Sequence, residues 1–530
     1  MSQPFIIQMV RRYLRLPVRT GAPLRRVHIS VDGIEVRAFD IELAEDVVDF
    51  WVPCDLGPWS GLEIALTVDG IEDARPWLAR ATQHDVPVDP EGLYHEAQRP
   101  QIHFSSQRGW INDPNGLVYH EGEYHLFYQH NPYGWSWGNM HWGHAVSRDL
   151  VHWAELGDAI YPDHLGTAFS GSAVVDRENT AGFQTDEAPP IVCIYTSAGQ
   201  PFVQSLAFSN DRGRTVMPYP GNPVVDHIAG ENRDPKVIWH AQSEQWVMVL
   251  YLDGHEYAIL GSPDLKHWRL LQRLNVGTAT ECPDFFELLV DGDSAQTRWL
   301  FWGADGTYML GSFDGERFTP EGEVLRYDWG GNSYAAQTWS DIPAEDGRRI
   351  QIAWLRVALP GMPFNQSMTF PCELTLRTTS AGVRLFSEPV REVALLHRRE
   401  HHWERAPLPP GEHALDEVAG ELFDIRAEIA PGDAVEVGLV IRGVKIRYTV
   451  ADGVLSCAER RMPLPLVDNA FRLQILADRT SIEIFGNDGL AALHLGVLLE
   501  GDGEPVKVYA KGEGGLIRAL DVFELDSIWG

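Results

Sequence analysis

Three short stretches hold carboxylates in settings that could do chemistry: "WINDPNG" from Trp110, "ENRDPKV" from Glu231 and "ATECPDFFEL" from Ala279. Each acid, Asp113, Asp234 or Glu281, adjoins residues that constrain the backbone or shield the charge: Pro114, Pro235 and the pair Cys282-Pro283. Proline fixes its own φ and biases the preceding residue toward extended geometry, and Asn115-Gly116 supplies a second turn. Asp113 is therefore expected on a short, stiff loop. Taken singly, each acid could serve as a turn or helix-cap residue. Taken together, carboxylates at short range raise one another's pKa. A two-carboxylate hydrolase needs that separation, with one group an ionised nucleophile and the other a protonated acid at neutral pH.

Other chemistries have less support. A calcium loop counted from Asp113 would need Gly and Glu where Val118 and Tyr124 stand. His141 and His144 fall on opposite faces of a strand, and the pair His401-His402 has no carboxylate pattern beside it, so no metal site is expected. There is no G-x-S-x-G elbow and no phosphate-binding P-loop.

The three acids are 121 and 47 residues apart, so an architecture must bring them together. Helical periodicity is scarce, while short alternating runs such as "YHLFYQH", "WVMVLYL" and "SIEIFGNDG" recur between turn residues, which reads as all-β. One phrase returns in "SRDLVHW" from Ser147, "SNDRGRTV" from Ser209, "SPDLKHW" from Ser262 and "SFDGERF" from Ser312, at spacings of 62, 53 and 50 residues. "TTSAGVRLF" from Thr378 is a fifth candidate. A strand–turn–strand phrase at this period predicts a five-bladed β-propeller, whose first strands converge on an axis and can pool acids from three blades. The expected organisation is an N-terminal β-rich domain over 1–94, the propeller over 95–392, a charged and proline-containing linker over 393–413, and a β-sandwich over 414–530.

Composition bounds the partners. Lys and Arg number 43 against 75 Asp and Glu, a net charge of −32 that opposes nucleic acid and anionic membranes but not a neutral substrate. The 18 Trp, 21 Phe and 16 Tyr suit sugar sites as well as β cores. Five scattered cysteines read as free thiols. The first 25 residues lack a signal core and no run approaches a membrane span, so a cytoplasmic location is expected.

With these residues in view, the sequence resembles glycoside hydrolase family 32, the invertase, levanase and inulinase type, over about residues 98–525. "WINDPNG", "RDP" and "EC" match its three acidic motifs, and "FYQHNP" from Phe127, "WGNMHWGHAVSRDLVHW" from Trp137, "FSGSA" from Phe169, "YAAQTW" from Tyr334 and "DRTSIEIFGNDG" from Asp478 follow in family order. The resemblance implies Asp113 as nucleophile, Glu281 as acid/base and Asp234 as transition-state stabiliser, with no cofactor or metal. It also implies a retaining exo-β-fructosidase acting on fructan (levan or inulin) or sucrose. Asn112, Gln129, Ser170 and Arg233 are the groups expected to pair fructosyl hydroxyls. Trp110, Trp137 and Phe169 are expected to wall the pocket, and Trp339 is a further candidate whose competing explanation is a β-core role. The N-terminal domain departs from the simplest chains of this type and would shape the cleft or mediate homo-oligomerisation. The rival readings are a fructosyltransferase, an inverting five-bladed arabinan- or xylan-cleaving enzyme, and an inactive sugar-binding protein.

Overall fold

The computed structural model describes residues 4–71, 75–277, 280–499 and 504–530, so Ala279, the first residue of the third acidic stretch, lies outside it. Strands make up nearly all its regular structure. Between residues 109 and 389, five four-stranded antiparallel units follow one another, and their first strands are Gly109–His120, Thr167–Val175, Arg233–His240, Asp284–Val290 and Ser333–Thr338. Each first strand touches the next, and the fifth touches the first, closing a ring. That is a propeller with its first strands on the axis.

The recurring sequence phrase has a structural meaning. In each of the first four units it joins the third strand to the fourth, and an aspartate caps the turn. Asp149 Oδ1 accepts the N–H groups of Val151 and His152 at 3.0 and 2.8 Å. Asp264 does the same for Lys266 and His267, and Asp314 for Glu316 and Arg317. Asp211 accepts the Thr215 N–H at 2.8 Å. The fifth phrase, around Thr378, links Cys372–Thr379 to Gly382–Pro389 in the corresponding place.

Cohesion comes from apolar faces stacked unit on unit. Phe127 and Trp142 of the first unit pack with Ala173 and Cys193 of the second, and Val247 and Val249 of the third with Phe285 and Phe301 of the fourth. Each buried Val or Phe side chain among them contributes roughly 1.5–3 kcal/mol. Gly116 is required here. Its φ is +53°, and a Cβ would lie 2.8 Å from both the Phe127 and Trp142 rings.

After the propeller, two six-stranded sheets form a sandwich. "FDIRAEIA" shows the cause: Phe423, Ile425, Ala427 and Ile429 alternate inward and meet Val437, Leu439 and Ile441 of the facing sheet. The expected linker over 393–413 is corrected. His397–Leu408 is a twelve-residue strand of this sandwich, paired along Gly515–Leu525. It is an edge strand with one neighbour, and such strands tolerate exposed charges and a proline such as Pro407.

Before the propeller, a four-stranded and a three-stranded sheet enclose Leu14, Leu16, Ile29, Phe39, Val52 and Leu66. This module is docked on the propeller. Tyr133 enters its core and stacks on Phe39 at 3.7 Å, while the Asn139 amide exchanges hydrogen bonds with the Asp40 backbone at 2.8 and 2.7 Å. Propeller and sandwich are latched by His103, fully buried between Asp478 at 2.8 Å and Glu483 at 3.2 Å.

Candidate active site

All five first strands contribute to one site at the axis. Asp113 comes from the first, Ser170 from the second, and Arg233 and Asp234 from the third. Glu281 and Cys282 immediately precede the fourth, and Tyr334 and Gln337 lie on the fifth. The expected loop around Asp113 is instead a bulged strand, with register shifts between Ile111 and Pro114 and between Asn115 and Val118. Pro114 has no N–H to give a regular ladder, and the bulges turn the aspartate toward the axis. Shifts recur between Ala168 and Gly171, Arg233 and Lys236, and Tyr334 and Gln337. Asp234, Cys282 and Ala335 hold positive φ values of 63°, 41° and 54°. Such backbone strain persists where the surrounding structure fixes it, commonly at functional sites.

The carboxylates are linked through two neighbouring side chains. Ser170 Oγ donates to Asp113 Oδ2 at 2.6 Å, and the Cys282 thiol approaches the same oxygen at 3.4 Å. That thiol is also 3.3 Å from Asp234 Oδ2, which accepts the Cys282 N–H at 3.0 Å. Asp113 and Asp234 are therefore separated by no more than the sum of the two sulfur contacts. Arg233 spans the other gap, donating to Glu281 Oε2 at 2.7 Å and lying 3.7 Å from Asp234 Oδ2. The Tyr334 hydroxyl donates to Glu281 Oε1. Two residues after Asp234, Lys236 pairs with Asp284 at 3.2 Å and donates to the Thr338 carbonyl, tying three units together.

Electrostatics follow from enclosure. Burial raises the Asp113 carboxyl above its ordinary value, opposed by hydrogen bonds from Ser170 and Asn112 and reinforced by the charge of Glu281. Burial pushes Asp234 up to about 7, with Arg233 opposing and Glu281 and Asp113 adding to the rise. The Cys282 thiol is raised well above its ordinary value by burial and by the three carboxylates, so it acts as a neutral donor. Aromatic rings form two clusters on the strands and loops that carry these groups. Trp137, Phe169 and Phe202 meet edge to face at 5.8 and 5.5 Å, and Trp110, Trp354 and Tyr334 at 6.0 and 6.2 Å. Among the described residues, no group of three or more His, Cys, Asp or Glu is placed to hold a metal ion.

The model of the glycosyl hydrolases family 32 N-terminal domain matches residues 103–389, and that of the family 32 C terminal matches 392–494. The chain belongs to glycoside hydrolase family 32. A levanase of Bacillus subtilis (strain 168) is 38% identical over 486 residues, covering 82% of this chain and 72% of that protein. The crystal structure of exo-inulinase from Aspergillus awamori superposes with a TM-score of 0.74 at 28% identity, over 82% of this chain and all of that one (100%). A fructofuranosidase of Schwanniomyces occidentalis complexed with fructose gives 0.73 at 28%, over 83% and 100%.

Within this family 32 glycoside hydrolase, Asp113, Asp234, Glu281, Ser170 and Arg233 share the site directly. Asn112 is buried beside Asp113 and accepts the Trp110 indole N–H at 3.0 Å. Gln129 is buried and donates to the Ala168 carbonyl at 2.9 Å, steadying the strand that carries Phe169 and Ser170. Trp137 stands at the rim, 57% exposed. Trp339 is corrected: it is 1% exposed, packs against Tyr124 and Trp153, and gives its N–H to the His125 carbonyl in the core. Sequence reasoning passed over Tyr334 and Cys282 as site residues. Both lie within quoted motifs.

Proposed function

We infer that this enzyme is a retaining exo-β-fructosidase that releases terminal fructose from fructans and from sucrose. The observation that carries the reading is the linkage of three carboxylates through Cys282 and Arg233 where five strands converge. The levanase, exo-inulinase and fructose-bound relatives support the choice of sugar.

With Oδ2 of Asp113 held by Ser170 and Cys282, Oδ1 attacks the anomeric carbon as its bond to the leaving oxygen breaks. Glu281 gives that oxygen a proton. The resulting fructosyl ester is then cleaved by water, which returns a proton to Glu281 and releases Asp113. Two inversions give net retention, as expected of paired carboxylates about 5–5.5 Å apart. Asp234, buried and with little solvent to compete, holds ring hydroxyls through the transition state. Tyr334 and Arg233 fix the Glu281 carboxyl, so they are positioning groups.

Incubation with sucrose, inulin and levan, with products resolved by chromatography, tests the reading. Free fructose is expected from the chain end. Oligosaccharides formed at high sucrose would establish a transferase, and binding without release would establish an inactive receptor. Asp113→Asn should lower kcat by at least about 10³-fold with the circular dichroism spectrum unchanged. A variant that still turns over would overturn the assignment.

A further inference from the structure

We propose that the cleft between the N-terminal module and the propeller is a second carbohydrate subsite, holding fructosyl units of a polymer beyond the one being cleaved. The identity of the sugar rests on the fructosidase reading; the existence of the subsite does not. The cleft encloses about 970 Å³ and shares no lining residue with the cavity around Asp113 and Asp234. Its size is that of a ligand pocket. Neither family model reaches the first 102 residues, so ten of its sixteen lining residues come from a part of the chain outside the family match.

The chemistry of the lining fits an uncharged polyhydroxylated chain. Trp51 of the module and Trp135 of the propeller supply aromatic surface on which the C–H faces of sugar rings pack. Arg15 and Arg108 are offset by Asp49, Asp89 and Glu91, so the cleft carries little net charge despite the acidity of the whole protein. Arg15 Nε and Trp135 Nε1 are buried donors without a hydrogen-bond partner. Unpaired buried donors are costly, and a ligand hydroxyl is the acceptor both lack. Both atoms are covered in the free protein, so the wall must yield slightly on entry.

Cleft and catalytic pocket are built on the same segments. Gly109 donates its N–H to the Pro363 carbonyl at 2.9 Å, and Phe364–Asn365 pairs in parallel with Gly109–Trp110. The Asn365 amide holds the Trp135 carbonyl at 3.0 Å. Arg108, Trp135 and Pro363 line the cleft, and Arg108 and Trp135 stand two residues before Trp110 and Trp137, the residues expected to wall the pocket, while Pro363 precedes the strand paired with Gly109–Trp110. The module fixes this loop from outside through Tyr133 and Asn139. A polymer leaving the pocket on this side meets the cleft next; a disaccharide confined to the pocket leaves it unfilled.

The test uses the full chain with Trp51→Ala, and Trp135→Phe as a gentler change that keeps an aromatic ring while removing the N–H and the second ring of the indole. On levan and inulin of high polymer length, Trp51→Ala should raise KM about tenfold with kcat held, while sucrose kinetics stay within about twofold. Trp135→Phe should shift the same parameter in the same direction by less. Equal losses on sucrose and polymer, or an unchanged polymer KM in both variants, would overturn the proposal. Retardation of the Asp113→Asn protein in levan-containing gels separates the two readings. Retardation that depends on Trp51, in a wild type that releases no fructose, would sink the fructosidase reading and keep the subsite. Fructose release with retardation indifferent to Trp51 would do the reverse, and a shift in oligomeric state in place of lost retardation would assign the cleft to self-association.

Discussion

Asp234→Asn should stabilise the protein while disabling it, and the gain should depend on pH. In the native state burial and two neighbouring acids hold the Asp234 carboxyl at about 7, against 3.8 in an open chain. Below 3.8 both states are protonated and nothing is lost. Between the two values the unfolded chain releases its proton while the native state keeps it, so stability falls with every step of rising pH. Above about 7 the full cost is in place, and at about 1.4 kcal/mol per pH unit it reaches roughly 4 kcal/mol. Asparagine is nearly isosteric and keeps an oxygen for the Cys282 N–H, but it deprives Arg233 of its weaker partner at 3.7 Å while sparing the one at 2.7 Å. A net gain of about 2–4 kcal/mol is expected at alkaline pH. Scanning calorimetry of both proteins across about pH 4 to 9 should show a Tm difference that grows from near zero and levels off above about pH 8, with fructose release abolished. A difference that is flat with pH, or negative at the alkaline end, would refute the account of a site held together against its own charge.

Glu281→Gln should slow natural substrates by about 10²–10⁴-fold but spare aryl fructosides with good leaving groups, because it removes protonation and not attack; parallel rates on both classes check this. Tyr334→Phe should lower kcat on sucrose by about tenfold with KM little changed, since the phenol orients Glu281. A change confined to KM would place Tyr334 in sugar binding instead. His103→Leu leaves Asp478 and Glu483 buried without a counter-charge and should cost about 3–5 kcal/mol, separating the propeller and sandwich transitions in calorimetry. In the wild type, burial alone would lower the His103 pKa, but Glu483 and Asp478 outweigh it and hold it at about 9. The latch is therefore at full strength below 6.5 and is lost as pH rises through about 9, which circular dichroism melts across that window would register.

Much of the fold was legible because it repeats. The phrase beginning at Ser147 returns in the first four units where a third strand turns into a fourth, and its aspartate caps that turn by a local interaction that sequence spacing reports directly. Local reasoning failed where the answer lay in a distant partner. Charges and prolines between 393 and 413 read as a linker, yet the ladder to Gly515–Leu525, more than a hundred residues on, makes His397–Leu408 an edge strand. Trp339 lies within a motif quoted for its chemistry, but the neighbours it packs against are Tyr124 and Trp153, set by the closure of the ring.

What the amino-acid order determined by itself was the alternation that makes strands, the turn residues that end them, and the acids that could react. Those properties live within a few bonds of each residue. Only the tertiary structure decided that Asp113 and Asp234 contact one thiol, that Arg233 and Tyr334 seize Glu281, and that a module outside the family match borders a cleft against the propeller. Proton affinity and reactivity depend on burial and on charges a few ångströms away, and the chain acquires those only when strands far apart in sequence close around a common axis.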